Sequence, residues 1–268
     1  MSAVEKSFER LLTALESLPG VRAAGKTGGK QLPADCESDI DLFIFCGQIP
    51  EQSKREAALA PLSDAVTVDS FGGAEDVHWG LVDALHIGNQ EVYLMFFSID
   101  AFSASLESIL NGRRLEREAN YFYPTGRCAS VLGMYGFYDP DRYLEGWQQR
   151  LAAYPEALSG ALIRYHCAGM DDEEDFSRAI RRGDALFYHA TPDLALDHFL
   201  QALFALNRVY FPSRKRSLEF IRSFAVKPEN CEARLLRVVA LGAKPETLEK
   251  SYRLWQALCR ELNELSPV

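Results

Sequence analysis

The fold of this chain is decided by the run Ser38-Asp39-Ile40-Asp41-Leu42-Phe43-Ile44-Phe45. Its apolar residues predict a buried strand, and because strand side chains alternate between faces, Asp39 and Asp41 are expected to project to the same side. Two like charges about 5 Å apart repel by about 3 kcal/mol at an effective dielectric of about 20. Such a pair shares a proton or binds a cation. Oxygen ligands on a short strand suit Mg²⁺, which makes both aspartates candidate metal ligands.

A glycine turn stands upstream of the acidic pair. Residues 21–27 are predicted to form a short strand, and Gly28, Gly29 and Lys30 follow it. A glycine pair lets backbone N–H groups approach a phosphate closely, and Lys30 adds positive charge. With Ser38 at the end of the same loop, the segment is a candidate phosphate-binding turn. An ordinary flexible hairpin tip is the alternative.

A strand, a glycine turn and an Asp-x-Asp strand in this order resemble the nucleotidyltransferase superfamily, which includes DNA polymerase beta and the kanamycin-type bacterial enzymes. The resemblance covers residues 1–100 by motif and the remainder more weakly. It implies Mg²⁺-dependent transfer of a nucleoside monophosphate from an NTP, with ATP the expected donor, to a hydroxyl of a small molecule or a protein. In that reaction Asp39 and Asp41 are catalytic and hold the metal. The chain departs from the family pattern at Gly29, where the family has serine.

The resemblance also implies a third acid on the strand predicted over residues 91–97. Aligned with the kanamycin-type enzymes, the acid position falls on Tyr93, and an ordinary phenol with a pKa of about 10 replaces neither a metal ligand nor a base at neutral pH. Strand alternation puts Glu91 on the same side as Tyr93, and Asp83 lies on the neighbouring predicted strand. We expect Glu91 to be the third catalytic acid. Asp83, or no residue at all, is the alternative.

The composition narrows the classes of function. The chain has 268 residues, enough for one large domain or two modest ones, and its net charge of −9 disfavours long nucleic acid as a partner. The amino terminus lacks an apolar signal segment and no long apolar run follows, which predicts a cytoplasmic protein that does not enter a membrane. The six cysteines lack metal-binding spacing and are expected to be reduced thiols. The acceptor and the oligomeric state are left open.

The order of predicted elements indicates an α+β fold: a nucleotidyltransferase-type mixed sheet with helices in residues 1–100, then a helical domain in residues 101–268 that contributes to acceptor binding. Apolar spacing predicts helices over 4–18 and 51–62, strands over 21–27, 40–46 and 66–68, and a hairpin of 79–87 and 91–97 around the turn Gly88-Asn89-Gln90. Further helices are predicted at 100–110, 141–153, 156–168, 172–190, 193–210, 214–224, 229–241 and 245–264. Residues 111–138 are predicted to be irregular.

A basic segment in the helical half is a second candidate for nucleotide contact. The run from Phe204 to Lys215 resembles a segment of bacterial members of the superfamily, and Lys215 or Arg214 would bind a triphosphate or an acidic acceptor. A solvated basic turn between helices is the alternative. Asn207 is expected on the apolar face of the preceding helix, where its amide needs hydrogen-bond partners.

Two other functions are compatible with the same residues. The departures at Gly29 and Tyr93 favour a catalytically impaired relative that binds nucleotide or a partner protein without turnover. A helical scaffold with an accidental Asp-x-Asp would show no metal-dependent stabilisation. The enzyme is the leading interpretation because the acidic pair follows a glycine turn and precedes an unbroken apolar run.

Overall fold

The computed structural model describes residues 2–29, 32, 38–118 and 121–266. The fold is α+β, as predicted, with a six-stranded mixed sheet and eleven α-helices in these residues. The chain divides into two compact units. The first comprises Met1–Glu107 and Cys128–Ala153, and the second comprises Ser108–Arg127 and Tyr154–Val268.

The first unit contains the sheet. Its strands are β1 (Val21–Lys26), β2 (Ile40–Cys46), β3 (Thr67–Ser70), β4 (Leu81–Ile87), β5 (Gln90–Ser98) and β6 (Tyr135–Tyr138). Its helices are α1 (Ala3–Glu16), α2 (Gln52–Leu59) and α5 (Tyr143–Ala152). Two more helices, α3 (Ile99–Leu110) and α4 (Pro124–Leu132), contribute residues to both units.

The strand order of the sheet is β3-β4-β5-β2-β1-β6. The central strands β2 and β5 run parallel, and the other neighbouring pairs are antiparallel. In the parallel pair, Asp41 lies beside Tyr93 and Leu42 lies beside Leu94. Residues in register share a face of the sheet, so this pairing decides which side chains of the two strands meet.

One face of the sheet is packed against α1 and α2. Helix α1 begins at a capping box in which Ser2 and Glu5 satisfy each other's backbone N–H groups. Its apolar stripe includes Leu11 and Leu15, both fully buried in one cluster with alternate residues of the strands. Burial of each leucine contributes about 1.5–3 kcal/mol. The strand residues in this cluster include Ile40, Leu42, Ile44, Val92, Leu94, Phe96, Leu85 and Ile87.

The opposite face of the sheet is apolar toward the carboxyl ends of β2 and β5. Phe43 and Phe45 of β2 lie there with Phe97 of β5 and Phe102 of α3. The ring centroids of Phe43 and Phe97 are 5.0 Å apart, and those of Phe45 and Phe102 are 4.9 Å apart. These rings cover that part of the face. The polar residues are therefore confined to the other end, where β2 begins.

The second unit is helical. Its helices are α6 (Glu156–Ala168), α7 (Glu173–Arg182), α8 (Ala185–Leu206), α9 (Ser217–Ser223), α10 (Cys231–Gly242) and α11 (Leu248–Leu265). The core surrounds α8, whose Phe199 and Phe204 are fully buried, and includes Trp255 of α11. Asn207 ends α8 and, as expected, is well partnered: its amide donates to the carbonyls of Leu203 and Val226 and accepts from the N–H of Val226.

The prediction of one helix over residues 172–190 is wrong in its extent. Gly183 adopts a left-handed conformation, with φ of 60°, and ends α7. The side chain of Asp184 then caps α8 by accepting from the N–H of Phe187. Helix α8 continues through Pro192 to Leu206, whereas the sequence pattern predicted a break near the proline.

Two further differences concern residues predicted as irregular or as a turn. The segment 111–138 contains α4 and the short strand β6, which pairs antiparallel with β1 and so adds to the sheet. The hairpin of β4 and β5 is confirmed, but its turn is shorter than predicted. Gln90 pairs with Ile87, which leaves Gly88 and Asn89 as the turn, and Gly88 has a φ of 63° that favours glycine.

Five of the six cysteines lie in the described part of the chain, and all five are free thiols. Burial raises the pKa of Cys46 to about 12, which makes this thiol unreactive at neutral pH. None of the helices that the structure describes combines the length and the apolar character needed to cross a membrane.

Candidate active site

The acidic pair and the glycine turn lie at the same end of the sheet. Asp39 immediately precedes β2 and is exposed, and Asp41 is the second residue of β2 and is half-buried. The backbone N–H of Thr27 donates to the carbonyl of Asp41 at 3.0 Å. The chain then turns directly into Gly28 and Gly29. The antiparallel pairing of β1 with β2 therefore brings the turn next to the beginning of the acidic strand.

Both glycines of this turn need the flexibility that glycine provides. Their φ angles are +71° for Gly28 and +85° for Gly29, a region that other residues rarely adopt. A Cβ at either position would meet no atom within 4 Å. The backbone conformation, and not lack of space, is what favours glycine here. Serine in the family position of Gly29 would be strained in this turn.

The hydroxyl of Tyr93 is hydrogen bonded to one carboxylate, and the charges of two others act on it. Tyr93 lies beside Asp41 in the register of β2 and β5, and its hydroxyl donates to Oε2 of Glu91 at 3.3 Å. Burial raises the pKa of Tyr93, and the negative charges of Glu91, Asp39 and Asp41 raise it further. Glu91 therefore contacts the phenol directly, and the two aspartates act on it through their charge. Glu91 lies on β5, Asp41 lies on β2, and Asp39 immediately precedes β2.

Lys26 is a buried cation that the sequence analysis missed, and it pairs in register with Leu42, on the face packed against α1 and α2. It is the last residue of β1, its side chain is only 4% exposed, and its Nζ donates to the carbonyl of Thr27 at 3.0 Å. Burial lowers the pKa of Lys26, and the negative charge of Asp41 acts in the opposite direction. The available signal was a lysine at the end of a strand of small residues, one residue before the glycine turn.

Asp83 is not part of this group, which corrects the alternative that made it the third acid. It pairs in register with Leu94, whose side chain lies on the face packed against α1 and α2. Its carboxylate is fully buried, forms a salt bridge with Arg55 of α2 and accepts from the N–H of Gly72 at 2.9 Å. Burial raises the pKa of Asp83, and the hydrogen bond from Arg55 opposes that rise. Asp83 therefore lies on the opposite face of the sheet from Asp41, because side chains alternate along β4.

The remaining predicted binding residues are scattered. Ser38 is half-buried, and its carbonyl accepts from the side chain of Gln90. Lys30 lies outside the described residues. Lys215 is exposed in the segment before α9 and belongs to the second unit, and its backbone N–H donates to Oγ of Ser213 at 3.1 Å. Their roles in nucleotide binding stay predictions.

Arg214 has a structural role. Its guanidinium donates to the carboxylates of Asp197 and Asp193. Asp197 is only 4% exposed and also accepts from Tyr123 and Arg117, each at 2.7 Å. Two arginines thus neutralise two aspartates inside the second unit. This network occupies the donors that the sequence analysis assigned to a phosphate.

Carboxylate oxygens lie at this end of the sheet, but the described residues do not place enough of them together to enclose a metal ion. In the parts of the chain that the structure describes, no three or more histidine, cysteine, aspartate or glutamate side chains are grouped so as to hold a metal ion. A cation at the acidic pair would therefore take most of its ligands from other molecules. Phosphate and water oxygens are the ligands that Mg²⁺ adds to one or two carboxylates.

Comparison with known proteins leaves the family open. Residues 124–216 match a family described as a domain of unknown function (DUF4037). Among curated proteins, none matches this chain. The chain is similar to a nucleotidyltransferase-like protein from Exiguobacterium sibiricum 255-15, known from a crystal structure at 1.90 Å resolution. The sequences are 16% identical, the alignment covers 97% of this chain and 73% of that chain, and the TM-score is 0.37.

Proposed function

We propose that this protein is a Mg²⁺-dependent nucleotidyltransferase. It would transfer a nucleoside monophosphate from an NTP, with ATP the first to test, to a hydroxyl group of a small molecule or a protein. The acceptor oxygen forms a bond to the α-phosphorus, the bond from that phosphorus to the β-phosphate oxygen breaks, and pyrophosphate leaves. The acceptor hydroxyl loses its proton to a base of the protein.

One observation supports this proposal above the others. The carboxylates of Asp39, Asp41 and Glu91 all act on the hydroxyl of Tyr93, at the end of the sheet where the glycine turn lies. Like charges repel, so the neighbouring carboxylates of Asp39 and Asp41 favour a bound cation or a shared proton. A phosphate-binding turn beside a cation-binding group is what a nucleoside triphosphate with its Mg²⁺ requires.

The donor set fits Mg²⁺. Asp39 and Asp41 would hold the cation, because they are two residues apart at the beginning of β2 and carry only oxygen donors. Two carboxylates leave the other coordination positions for phosphate oxygens and water. When bound, the cation would neutralise charge on the phosphates and orient them. The buried ammonium of Lys26, which acts on Asp41, offsets part of the negative charge in the absence of substrate.

The other residues have distinct roles in this proposal. The backbone N–H groups of Gly28 and Gly29 would bind the terminal phosphates. Glu91 would accept the proton of the acceptor hydroxyl, as a general base. The hydroxyl of Tyr93 donates to Glu91 and so holds its carboxylate on the side of Asp41. Catalysis then depends on positioning and charge stabilisation, without a covalent intermediate.

A transfer assay tests the proposed function. The protein is incubated with Mg²⁺ and an α-labelled NTP over a panel of hydroxyl acceptors, and transfer of label and release of pyrophosphate are measured together. We expect transfer by the wild type, loss of transfer in Asp39→Asn, and normal transfer in Asp141→Asn. Asp141 is a matched control because its carboxylate is exposed and pairs with Arg22 elsewhere in the first unit. Absence of transfer with every NTP would refute the proposal.

Binding of a nucleotide without turnover is the second candidate. It is favoured by the position of Tyr93, a phenol beside Asp41 where the superfamily alignment has an acid. Calorimetry with Mg²⁺ and ATP separates the two functions when combined with the transfer assay. Binding that is lost in Asp39→Asn, with no transfer by the wild type, would support this second function.

A further inference from the structure

A row of polar side chains continues from Tyr93 across the open face of the sheet. Glu91 of β5 lies directly opposite His86 of β4 in the antiparallel register, so their side chains share a face. Oε1 of Glu91 is 3.8 Å from Nε2 of His86, while its Oε2 accepts from Tyr93. On the far side of the ring, Nδ1 of His86 is 2.5 Å from Oδ2 of Asp69.

Asp69 reaches His86 because β3 contains a bulge. Val68 pairs with Leu85 and Ser70 pairs with Ala84, so β3 has one residue more than β4 at this point, and that residue is Asp69. An extra residue of this kind leaves the ladder and redirects its side chain, and bulges are common next to active sites. The bulge is short and local. It gives the imidazole a fixed carboxylate partner on one nitrogen.

The two nitrogens of His86 therefore face two different carboxylates. An ionised Asp69 carboxylate has no donor, so its hydrogen bond with His86 requires the proton on Nδ1. The neutral imidazole then has its basic lone pair on Nε2, the nitrogen that faces Glu91. A separation of 3.8 Å is longer than a direct hydrogen bond and lies within the range of an ion pair. The side chain of His86 is 36% exposed, so a proton on Nε2 can pass on to solvent.

We propose that His86, oriented by Asp69, is the proton acceptor for Glu91. This inference rests on the proposed function. After the acceptor hydroxyl gives its proton to Glu91, that proton moves to Nε2 of His86 and then to water, and Glu91 returns to its ionised form. Asp69 keeps the proton on Nδ1 and stabilises the imidazolium, and it is not itself protonated. His86 acts through Glu91 and is a positioning residue that does not contact the substrate.

The charged groups that face this row come from three strands. Asp69 lies on β3, Glu91 and Tyr93 on β5, and Asp39 and Asp41 at β2 act on Tyr93. Apart from Tyr93 these groups are carboxylic acids, and one of them faces each nitrogen of the imidazole.

Chemical rescue tests the relay. In His86→Ala we expect kcat for nucleotide transfer to fall about tenfold or more, with KM for the NTP unchanged, since a relay affects proton transfer and not binding. Imidazole added to the buffer should restore part of the lost kcat in proportion to its concentration. His189→Ala is the control, because His189 is an exposed histidine of the second unit, and neither that substitution nor imidazole should alter its kcat.

The outcomes separate this inference from the proposed function. If the wild type transfers nucleotide and His86→Ala matches it, or imidazole gives no rescue, the relay is refuted while the transferase stands. If the wild type transfers no nucleotide, the proposed function fails and the relay fails with it. NMR of the ring nitrogens tests the role of Asp69 independently of activity. The Nδ1-protonated tautomer of His86 should dominate in the wild type and be lost in Asp69→Ala. The same tautomer in that variant would refute the orienting role of Asp69.

Discussion

The two faces of one sheet carry acids in opposite situations. On the face packed against α1 and α2, Asp83 is fully buried and bound to Arg55. On the other face, Asp39, Asp41 and Glu91 are exposed or half-buried and share the environment of Tyr93. The buried acid has a cation as its permanent partner, and its role is to keep the core satisfied. The three open acids accumulate negative charge where solvent and a ligand can reach them.

The register of the strands separates structural acids from candidate catalytic ones. Asp83 and Glu91 lie on neighbouring strands of one hairpin, and only the register decides which face each occupies. Removal of the partner of a buried charge is costly, whereas loss of an exposed carboxylate changes stability little. Unfolding stability therefore tests the buried face, and ligand binding, kinetics and titration test the open face.

The largest effect is expected on the buried face. Arg55→Ala would leave the carboxylate of Asp83 buried without its cation, and we expect the free energy of unfolding to fall by about 3–5 kcal/mol in a urea titration. Arg10→Ala is the control, since the salt bridge of Arg10 with Asp64 is exposed and its loss should be much smaller. Equal losses in the two variants would mean that the buried pair is not a structural element.

The next effect concerns ligand-induced stability on the open face. In the wild type, Mg²⁺ and ATP at about 100 times the dissociation constant should raise the free energy of unfolding by about 2.7 kcal/mol. Asp41→Asn should abolish this gain and change the stability of the ligand-free protein little. The measurement is denaturant unfolding with and without ligand. A full gain in Asp41→Asn would remove Asp41 from the proposed site.

A smaller effect is expected at Tyr93. Tyr93→Phe removes the 3.3 Å hydrogen bond that holds Glu91, worth about 0.5–1.5 kcal/mol, so kcat should fall about two- to tenfold. Affinity for the NTP should stay the same, because the hydroxyl is not assigned to the phosphates. Steady-state kinetics of nucleotide transfer check both parameters. A higher kcat in Tyr93→Phe would instead show that the phenol hinders the acids.

The smallest effect is a titration shift. The negative charge of Glu91 helps to raise the pKa of Tyr93, so Glu91→Gln should lower that pKa toward the ordinary value of a phenol. The part of the rise that burial causes should remain. Ultraviolet difference titration, with Tyr93→Phe to assign the signal, measures the shift. An unchanged pKa of Tyr93 in Glu91→Gln would mean that the charge of Glu91 does not act on the phenol.

Much of the fold was predictable because local signals agreed with the tertiary structure. The strand at residues 40–46 and the hairpin had clear apolar patterns and turn residues. The strand β6 was missed because four residues with glycine in the middle carry almost no periodic signal, and its pairing with β1 spans a long sequence separation. Helix α8 was divided wrongly because packing tolerates Pro192 where local propensity does not.

The candidate site was only partly predictable. Alternation correctly put Glu91 on the side of Tyr93, and the two side chains are hydrogen bonded. Alternation alone does not give the register of β4 against β5, so the sequence left Asp83 as an alternative third acid. Lys26 and the bulge at Asp69 escaped notice, because a buried lysine and an unpaired residue leave no repeating pattern in sequence.

The central claim is that Asp39 and Asp41 hold a divalent cation on the face of the sheet that carries Tyr93. Anomalous diffraction from crystals grown with Mn²⁺ and a non-hydrolysable NTP tests it most directly, since Mn²⁺ prefers the same oxygen ligands as Mg²⁺. Our account predicts an anomalous peak at about 2.1 Å from carboxylate oxygens of both residues, with nucleotide phosphates as further ligands. A nucleotide bound elsewhere, or a peak that touches neither aspartate, would contradict it.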